Sequence, residues 1–398
     1  MQDKKQEKKQ EKKNVMLMVP LLDQGGLERI CAHTANLLKD ECNLCLVVFS
    51  TKNMLYDVSA VEVLDLGLGS RPGVVGKCIN LLRRIKAVKR IKKERNIQVT
   101  YSFGPTANLV NAFSRVRDQI WIGIRGYGAL ENKHSMKLTC KRADKVICCA
   151  RVMADDVAKL YSPRKVECLY NPCDIDKIRK LSEEPVEERH NSFFGDSDNI
   201  IVSMGRENDV KGFWHLIKGF ALIKKELPDA KLMIIGEGEY KEYKKLAQDL
   251  KIDESVLFTG VQKNPFRYLK KCSLYIMTSI TEGFPNALVE AMAVGVPVMS
   301  VNCKSGPAEI LLDDYKKAAD QHKICYGEYG VLLPVMNPVK NMEAGTIEQE
   351  ERILAETAAG ILRSLQRRGE LREKAVMRSR VFSVEKYVEQ LLYDIQQV

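Results

Sequence analysis

The sequence predicts an α/β protein made of two doubly wound, Rossmann-like domains facing a cleft. Three observations predict it. The chain has 398 residues, more than one ordinary hydrophobic core organises, so it should divide. Short apolar runs alternate with helical patterns from residue 14 onward, and continuous apolar runs suit parallel strands covered on both faces. The rhythm breaks once, at YNPCDID (170–176) and the polar stretch behind it, and then restarts.

The elements follow in order. Residues 1–13 are charged, lack an apolar core, and read as a disordered basic lead-in rather than a secretory signal. Residues 15–19 form a strand, and GGLERICAHTANLL (25–38) the helix after it. Strands are expected at 44–49, 99–101, 121–124, 146–149 and 166–169, with a long helix at 78–95. The second array has strands at 200–203, 232–235, 256–259, 274–277, 298–301 and 331–333. The domains are therefore 14–174 and 175–382. The last helix, 383–398, has apolar residues at helical spacing and is expected to pack back on the first domain.

The totals exclude some classes. No run of about 18 uncharged apolar residues exists, so no transmembrane helix is expected. Twelve cysteines in 398 residues fall below the density of a disulfide scaffold. The single CxxC, Cys42 to Cys45, lies inside a strand-like run and reads as packing rather than as a metal site. The net charge of +11 belongs to the first half. Residues 1–175 carry 31 Lys and Arg against 18 Asp and Glu.

The chemistry concentrates in a few loops. In TEGFPNALVEAMAVGVP (281–297), Pro285 suits a helix start, Gly295 a helix end, and Pro297 bars continuation. Glu282 then sits before a helix N-terminus at the carboxyl end of a strand, and Glu290 about one turn in. Backbone amides there can seat a phosphate, and carboxylates can accept hydrogen bonds from sugar hydroxyls. Taken as a lone pair, the two would read as a cap and a solvated Glu. In IVSMGRENDVK (201–211), Arg206 and Lys211 follow a strand and could neutralise a departing diphosphate; alone, they would read as surface cations. IIGEGEY (234–240) puts Gly236 and Gly238 after another strand, where a ligand can approach the backbone closely. DQGGLERI (23–30) places Gly25 and Gly26 before a helix, a second phosphate-seat geometry.

Taken together the motifs resemble glycosyltransferase family 4, retaining enzymes of the two-domain GT-B fold that act in bacterial polysaccharide and glycolipid assembly. The resemblance rests on GG (25–26), GRENDVKG (205–212), GEG (236–238), EGFPNALVE (282–290), SGPAEIL (305–311) and EYGVLLP (328–334). KRADKVICCA (141–150) and YNPCDID add to it. It implies sugar transfer from a nucleotide diphosphate donor, by the family's habit a UDP-sugar, to a glycan or lipid-linked acceptor. In its terms Glu282 holds the donor sugar and Glu290 the ribose. Arg206 and Lys211 stabilise the diphosphate, with backbone around Gly25, Gly26, Gly283, Phe284, Asn286, Ala287 and Leu288. The base rests near 260–262. The leaving phosphate takes the acceptor proton, so neither a cofactor nor a metal is expected.

The remaining candidates are weaker. Asp174/Asp176 and Asp196/Asp198 match D-x-D by coincidence of loop composition. His33, His215 and His322 read as structural or solvated. In the 125–134 loop, where relatives carry a functional His, Arg125 is the better-placed acceptor-side candidate and His134 the doubtful one. Residues 313–328 exceed what a minimal member needs.

The 76–95 helix aligns Cys78, Leu81, Leu82, Ile85, Val88 and Ile91 on one face. Eight Lys and Arg lie between Arg83 and Arg95, with Glu94 the only acid. The expected arrangement is a packed apolar face with cations presented to anionic lipid, making the protein cytoplasmic and peripheral to the membrane. Nucleic acid is not expected as a partner, for no aromatics interleave the charges. The alternatives are a basic scaffold with a non-catalytic sugar-nucleotide site, or a GT-B nucleotide-sugar epimerase.

Overall fold

The computed structural model describes residues 11–195 and 197–398. Residues 1–10 of the lead-in and Asp196 lie outside that range. Two compact units emerge: unit 1 runs to Tyr170 and takes in Tyr387–Val398, and unit 2 is Asn171–Lys386. The division falls at 170/171 rather than at 174/175.

Unit 1 carries β1 (Asn14–Val19), β2 (Asn43–Val48), β3 (Glu62–Asp65), β4 (Val99–Phe103), β5 (Gln119–Ile124), β6 (Lys145–Cys148) and β7 (Val166–Cys168). All are parallel, in the order β3-β2-β1-β4-β5-β6-β7. The period of two along β1 divides its side chains between faces. Val15, Leu17 and Val19 join one core with Tyr387, Leu391 and Ile395 of the Val384–Gln396 helix. Met16 and Met18 join the other, with Val88 and Val110. Polar ties hold that last helix: Tyr387 and Thr34 hydroxyls meet at 2.7 Å, and Lys145 pairs with Asp394 at 2.9 Å.

Unit 2 repeats the plan. Its strands are β8 (Ile200–Met204), β9 (Lys231–Ile235), β10 (Val256–Gly260), β11 (Leu274–Met277), β12 (Val298–Val301), β13 (Cys325–Tyr326) and β14 (Val331–Leu333). The order is β10-β9-β8-β11-β12-β14-β13, with only β13 antiparallel. In both sheets the order reverses beside the first strand of the unit, at β1/β4 and at β8/β11. Ligands of doubly wound sheets bind outside the carboxyl ends of the strands at such points.

Sequence reading missed β3 and β13. Both are short edge strands; β3 has only two apolar residues, Val63 and Leu64, between two acids, and β13 has two residues inside the 313–328 excursion. The Val74–Glu94 helix also differs from expectation. Leu82 is 67% exposed and Cys78 is exposed, whereas Asn80 and Arg84 point inward. The cause is the loop after β3, whose carbonyls need donors. Arg84 Nε donates to Leu68 O at 2.8 Å, and Asn80 Nδ2 reaches Leu68 O and Gly69 O. Leu68 and Gly69 are half-buried, where a carbonyl left without a donor is unfavourable, and polar side chains take the inward face that periodicity alone would fill with leucine.

Candidate functional site

In unit 2 the loops at the carboxyl ends of β8, β9 and β11 are built against one another. Gly205 N–H donates to Ile235 O at 2.9 Å and Glu207 N–H to Glu237 O at 2.7 Å. The Glu207 carboxylate accepts from Tyr240 N–H at 2.8 Å, and the Tyr240 hydroxyl donates to Gly205 O. This approach requires glycine at 236 and 238, because a Cβ at 236 would strike Gly205 O and one at 238 the Glu207 side chain. On the other side, Ile280 N–H donates to Val210 O at 2.8 Å and Thr278 Oγ1 to Lys211 O at 3.0 Å. Gly212, at φ +59, lies where a Cβ would strike Thr278 O.

This clamp delivers one decisive contact. Lys211 Nζ meets Glu282 Oε1 at 2.7 Å, with the side chains 27% and 14% exposed. The residues are 71 positions apart and meet because β8 and β11 are neighbours. Arg206 occupies the same loop as Lys211 and is exposed. Behind Glu282, Pro285 opens the Asn286–Val294 helix, whose first two amides, of Asn286 and Ala287, precede the first intrahelical acceptor. Glu290 is half-buried on that helix, and Asn171 Nδ2 donates to Asn286 Oδ1 at 3.0 Å. Ser305 Oγ donates to Gly283 O at 2.7 Å, bringing the SGPAEIL turn alongside.

Several expected residues do something other than expected. Leu288 is buried core and its N–H goes to Pro285 O at 3.1 Å, so it offers nothing to a phosphate. Phe284 is buried and packs its ring on Phe382 at 5.4 Å. In unit 1, Gly25 N–H meets the Tyr56 hydroxyl, which donates back to Gly25 O. The Glu28 carboxylate lies where a Cβ of Gly25 would be. An acid already faces that helix start, a poor setting for an anion; the space beside Gly26 is open. The guanidinium of Arg125 donates to Leu169 O at 3.2 Å and to the Tyr101 hydroxyl, and stands over the Phe103 ring. It braces the sheet. His134 is exposed and His33 half-buried.

The loop 260–262 sits on a hydrogen-bond chain. Tyr268 donates its hydroxyl to Gln262 Oε1 at 3.1 Å, and Gln262 Nε2 donates to Thr259 O. With its proton so used, Tyr268 accepts from His190 Nδ1 at 3.0 Å.

Sequence reading also missed two features. One is a cavity of about 380 Å³ at the carboxyl ends of β1 and β2 in unit 1, lined by Leu21, Ser50, Lys52, Ser70, Arg84 and Thr106 among others. The other is a strap in unit 2. Lys340 Nζ pairs with Asp209 at 3.0 Å and Glu242 at 2.6 Å, tying the Lys211 loop to the Lys241–Asp249 helix. Glu242 is the main cause holding its ammonium well above the ordinary lysine range. Three residues earlier, Asn337 O accepts from His215 Nε2 at 2.9 Å. His215 Nδ1 meets Glu351 at 2.8 Å, and Glu351 and Glu348 form a capping box. His215, Glu348 and Glu351 stand close enough to hold a cation. Both imidazole nitrogens already have partners, so the group reads as a strut. Asp174 caps its helix by accepting from Lys177 N–H.

Comparison with known proteins bears on these loops. Residues 186–321 match the family model described as Glycosyl transferases group 1. The matched residues lie within unit 2. An uncharacterized glycosyltransferase of Methanocaldococcus jannaschii is 34% identical over 196 residues, covering 48% of each chain. This chain thus spans about half the length of that relative. A Campylobacter jejuni N-acetylgalactosamine-N,N'-diacetylbacillosaminyl-diphospho-undecaprenol 4-alpha-N-acetylgalactosaminyltransferase is 26% identical over 334 residues, 79% of this chain and 84% of that one. Anabaena Alr3699/HepE in complex with UDP shares the fold at a TM-score of 0.74, with 17% identity, over 97% of this chain and 100% of the other. The architecture is therefore GT-B: two Rossmann-like α/β units. No helix among the described residues is long and apolar enough to cross a membrane.

Proposed function

We propose that the protein moves a sugar from a nucleoside diphosphate donor, in the first instance UDP, to a glycan or lipid-linked acceptor, with retention at the anomeric carbon. One observation carries the reading: the Lys211–Glu282 contact at 2.7 Å, at the strand-order reversal and next to a helix start. An ammonium has three donors. One is spent on Glu282, which fixes the ammonium's position; the others are available to diphosphate oxygens. Negative charge grows on the diphosphate as the sugar leaves, and a fixed cation there lowers the barrier. Arg206 adds a second cation from the same loop. The amides of Asn286 and Ala287 add helix-end polarity.

Glu282 keeps a second carboxylate oxygen for sugar hydroxyls, and Glu290 serves the ribose. Gly236 and Gly238 leave room for the donor against bare backbone. The departing phosphate accepts the acceptor proton from the same face, so the protein supplies no base, and the cations take the place of a metal. The acceptor belongs to unit 1, and the setting is the cytoplasmic side.

The test is thermal shift with UDP, GDP and ADP, followed by a screen of nucleotide sugars for diphosphate release in EDTA. One diphosphate should stabilise the chain, and Glu282→Ala should keep that shift while losing turnover. Indifference to all three diphosphates, or an absolute need for a divalent cation, would overturn the reading.

A further inference from the structure

The cavity of about 380 Å³ in unit 1 lies where the strand order β2-β1-β4 reverses. Its wall comes from the loops that leave those three strands, at Leu21, Phe49 and Thr106, and from Arg84 of the Val74–Glu94 helix. None of its lining residues is acidic. Arg84 is only 9% exposed. Its Nε and Nη2 donate to Leu68 O and Gly69 O, and its guanidinium stands 4.3 Å from the centre of the Phe49 ring. Nη1 has no hydrogen-bond partner, and among the described residues no carboxylate pairs with the charge. Burial alone holds this guanidinium below the ordinary arginine range. The loop explains the hydrogen bonds and not the charge, because Asn80 reaches the same two carbonyls with a neutral amide. A buried charge without a counter-charge is unfavourable, so Arg84 calls for an anion that the chain does not supply. Further donors surround the same space. Ser50 Oγ accepts from Lys52 N–H at 3.2 Å, which leaves its O–H to donate. Lys52 and Thr106 are exposed at the rim. In the Pro105–Phe113 helix, Asn108 N–H makes a bond to Gly104 O at 2.9 Å, and the amides of Thr106 and Ala107 stand before it.

We infer that this cavity binds a phosphoryl group carried by the acceptor, with Arg84 beneath it and Lys52, Ser50, Thr106 and a helix start around it. Two features select phosphoryl over carboxylate. A carboxylate pairs best with a guanidinium fork, and Arg84 has spent Nε and Nη2 on carbonyls, leaving Nη1 alone. The other donors come from separate loops, which suits the several oxygens of a phosphoryl group rather than the two of a planar carboxylate. The position fits as well, since ligands of doubly wound sheets bind at the carboxyl ends of strands where the order reverses. The volume exceeds a phosphate ion and leaves room for the sugar attached to it. The acceptor is then a phosphorylated sugar, either free or as a lipid-linked sugar diphosphate. Its role as acceptor rests on the proposed function; the anion site does not.

The test compares glucose, glucose 1-phosphate and glucuronate on the full chain at constant ionic strength. Calorimetry reads affinity, and hydrogen–deuterium exchange reads place. Glucose 1-phosphate should bind and slow exchange in segments 49–53 and 104–108, and the other two sugars should do neither. Geranyl diphosphate, run beside it, identifies the source. Tighter binding than glucose 1-phosphate marks a lipid-linked diphosphate and weaker binding a free sugar phosphate; either order supports the site. R84Q keeps an amide donor, removes the charge, and should weaken glucose 1-phosphate about tenfold or more. K52Q/T106V alters only exposed positions, should keep the wild-type melting temperature, and should weaken it about tenfold. That variant decides alone if R84Q fails to fold. Exchange unchanged in both segments, glucose or glucuronate binding as well as glucose 1-phosphate, or full affinity in K52Q/T106V overturns the inference. Neither readout needs turnover, and the diphosphate thermal shift reads unit 2 separately, so failure of this site is distinguishable from failure of the sugar-transfer reading.

Discussion

Two lysine–carboxylate pairs in this chain have almost the same length and opposite consequences. In unit 1, Lys92 meets Asp118 at 2.8 Å with both side chains fully buried. Asn111 and Thr100 complete the set, Asn111 Oδ1 accepting from Lys92 and Asp118 accepting from the Thr100 hydroxyl, each at 2.8 Å. In unit 2, Lys211 meets Glu282 at 2.7 Å, with both side chains partly in water. The first pair has every partner it needs and admits no ligand. The second, under the proposed function, keeps unspent donors and acceptors for one. An ion pair is therefore a site only where it is incomplete. Burial, which makes the first pair costly to break, also makes it useless for binding.

The largest effect should come from Asp118→Ala, which leaves a buried ammonium unpaired and should destabilise unit 1 by about 3–5 kcal/mol in denaturant unfolding. A loss below about 1 kcal/mol would mean that water reaches Lys92, and the contrast would fail. Next, Lys211→Ala should cut sugar transfer by about 10²–10³-fold. It should move stability by no more than about 1 kcal/mol, the range of an accessible pair. Near wild-type transfer rates would make the second pair as structural as the first.

The third prediction concerns pH. Burial pushes the Lys92 ammonium down to about 8, with Asp118 pulling partly against it. An unfolded lysine titrates near 10.4. From about pH 8 to 10.4 the unfolded chain therefore binds a proton that the native chain has released, and this group's contribution to stability rises with pH, by on the order of 3 kcal/mol in all. Below about pH 8 both states hold the proton and the slope disappears. Melting curves of wild type and K92M/D118N over pH 7–10.5 would isolate it; equal slopes would refute it. Smallest of all, Lys340→Gln should loosen the Lys211 loop. The expected signature is a several-fold higher donor KM with kcat within about twofold, since ground-state positioning is what it removes.

Much of this was legible in the residues. Apolar runs marked twelve of the strands, and the glycines at 205, 212, 236 and 238 marked the turns that close on one another. Periodicity failed at the Val74–Glu94 helix, because it counts apolar residues and cannot see the carbonyls of Leu68 and Gly69 waiting for Asn80 and Arg84. Motif reading does not see that the Glu28 carboxylate of the first helical turn stands beside Gly25, or that the Leu288 amide is spent on Pro285 O.

Local order in the chain set the βα rhythm, the glycine turns and the presence of Lys211 and Glu282 at strand ends. Composition and period act over a few residues, so they determine that much and no more. The meeting of those two side chains was decided by strand order, which lays β8 against β11 and skips β9 and β10. So was the difference between the pairs: only three-dimensional packing fixes how much water each ammonium keeps, and that water separates a strut from a site.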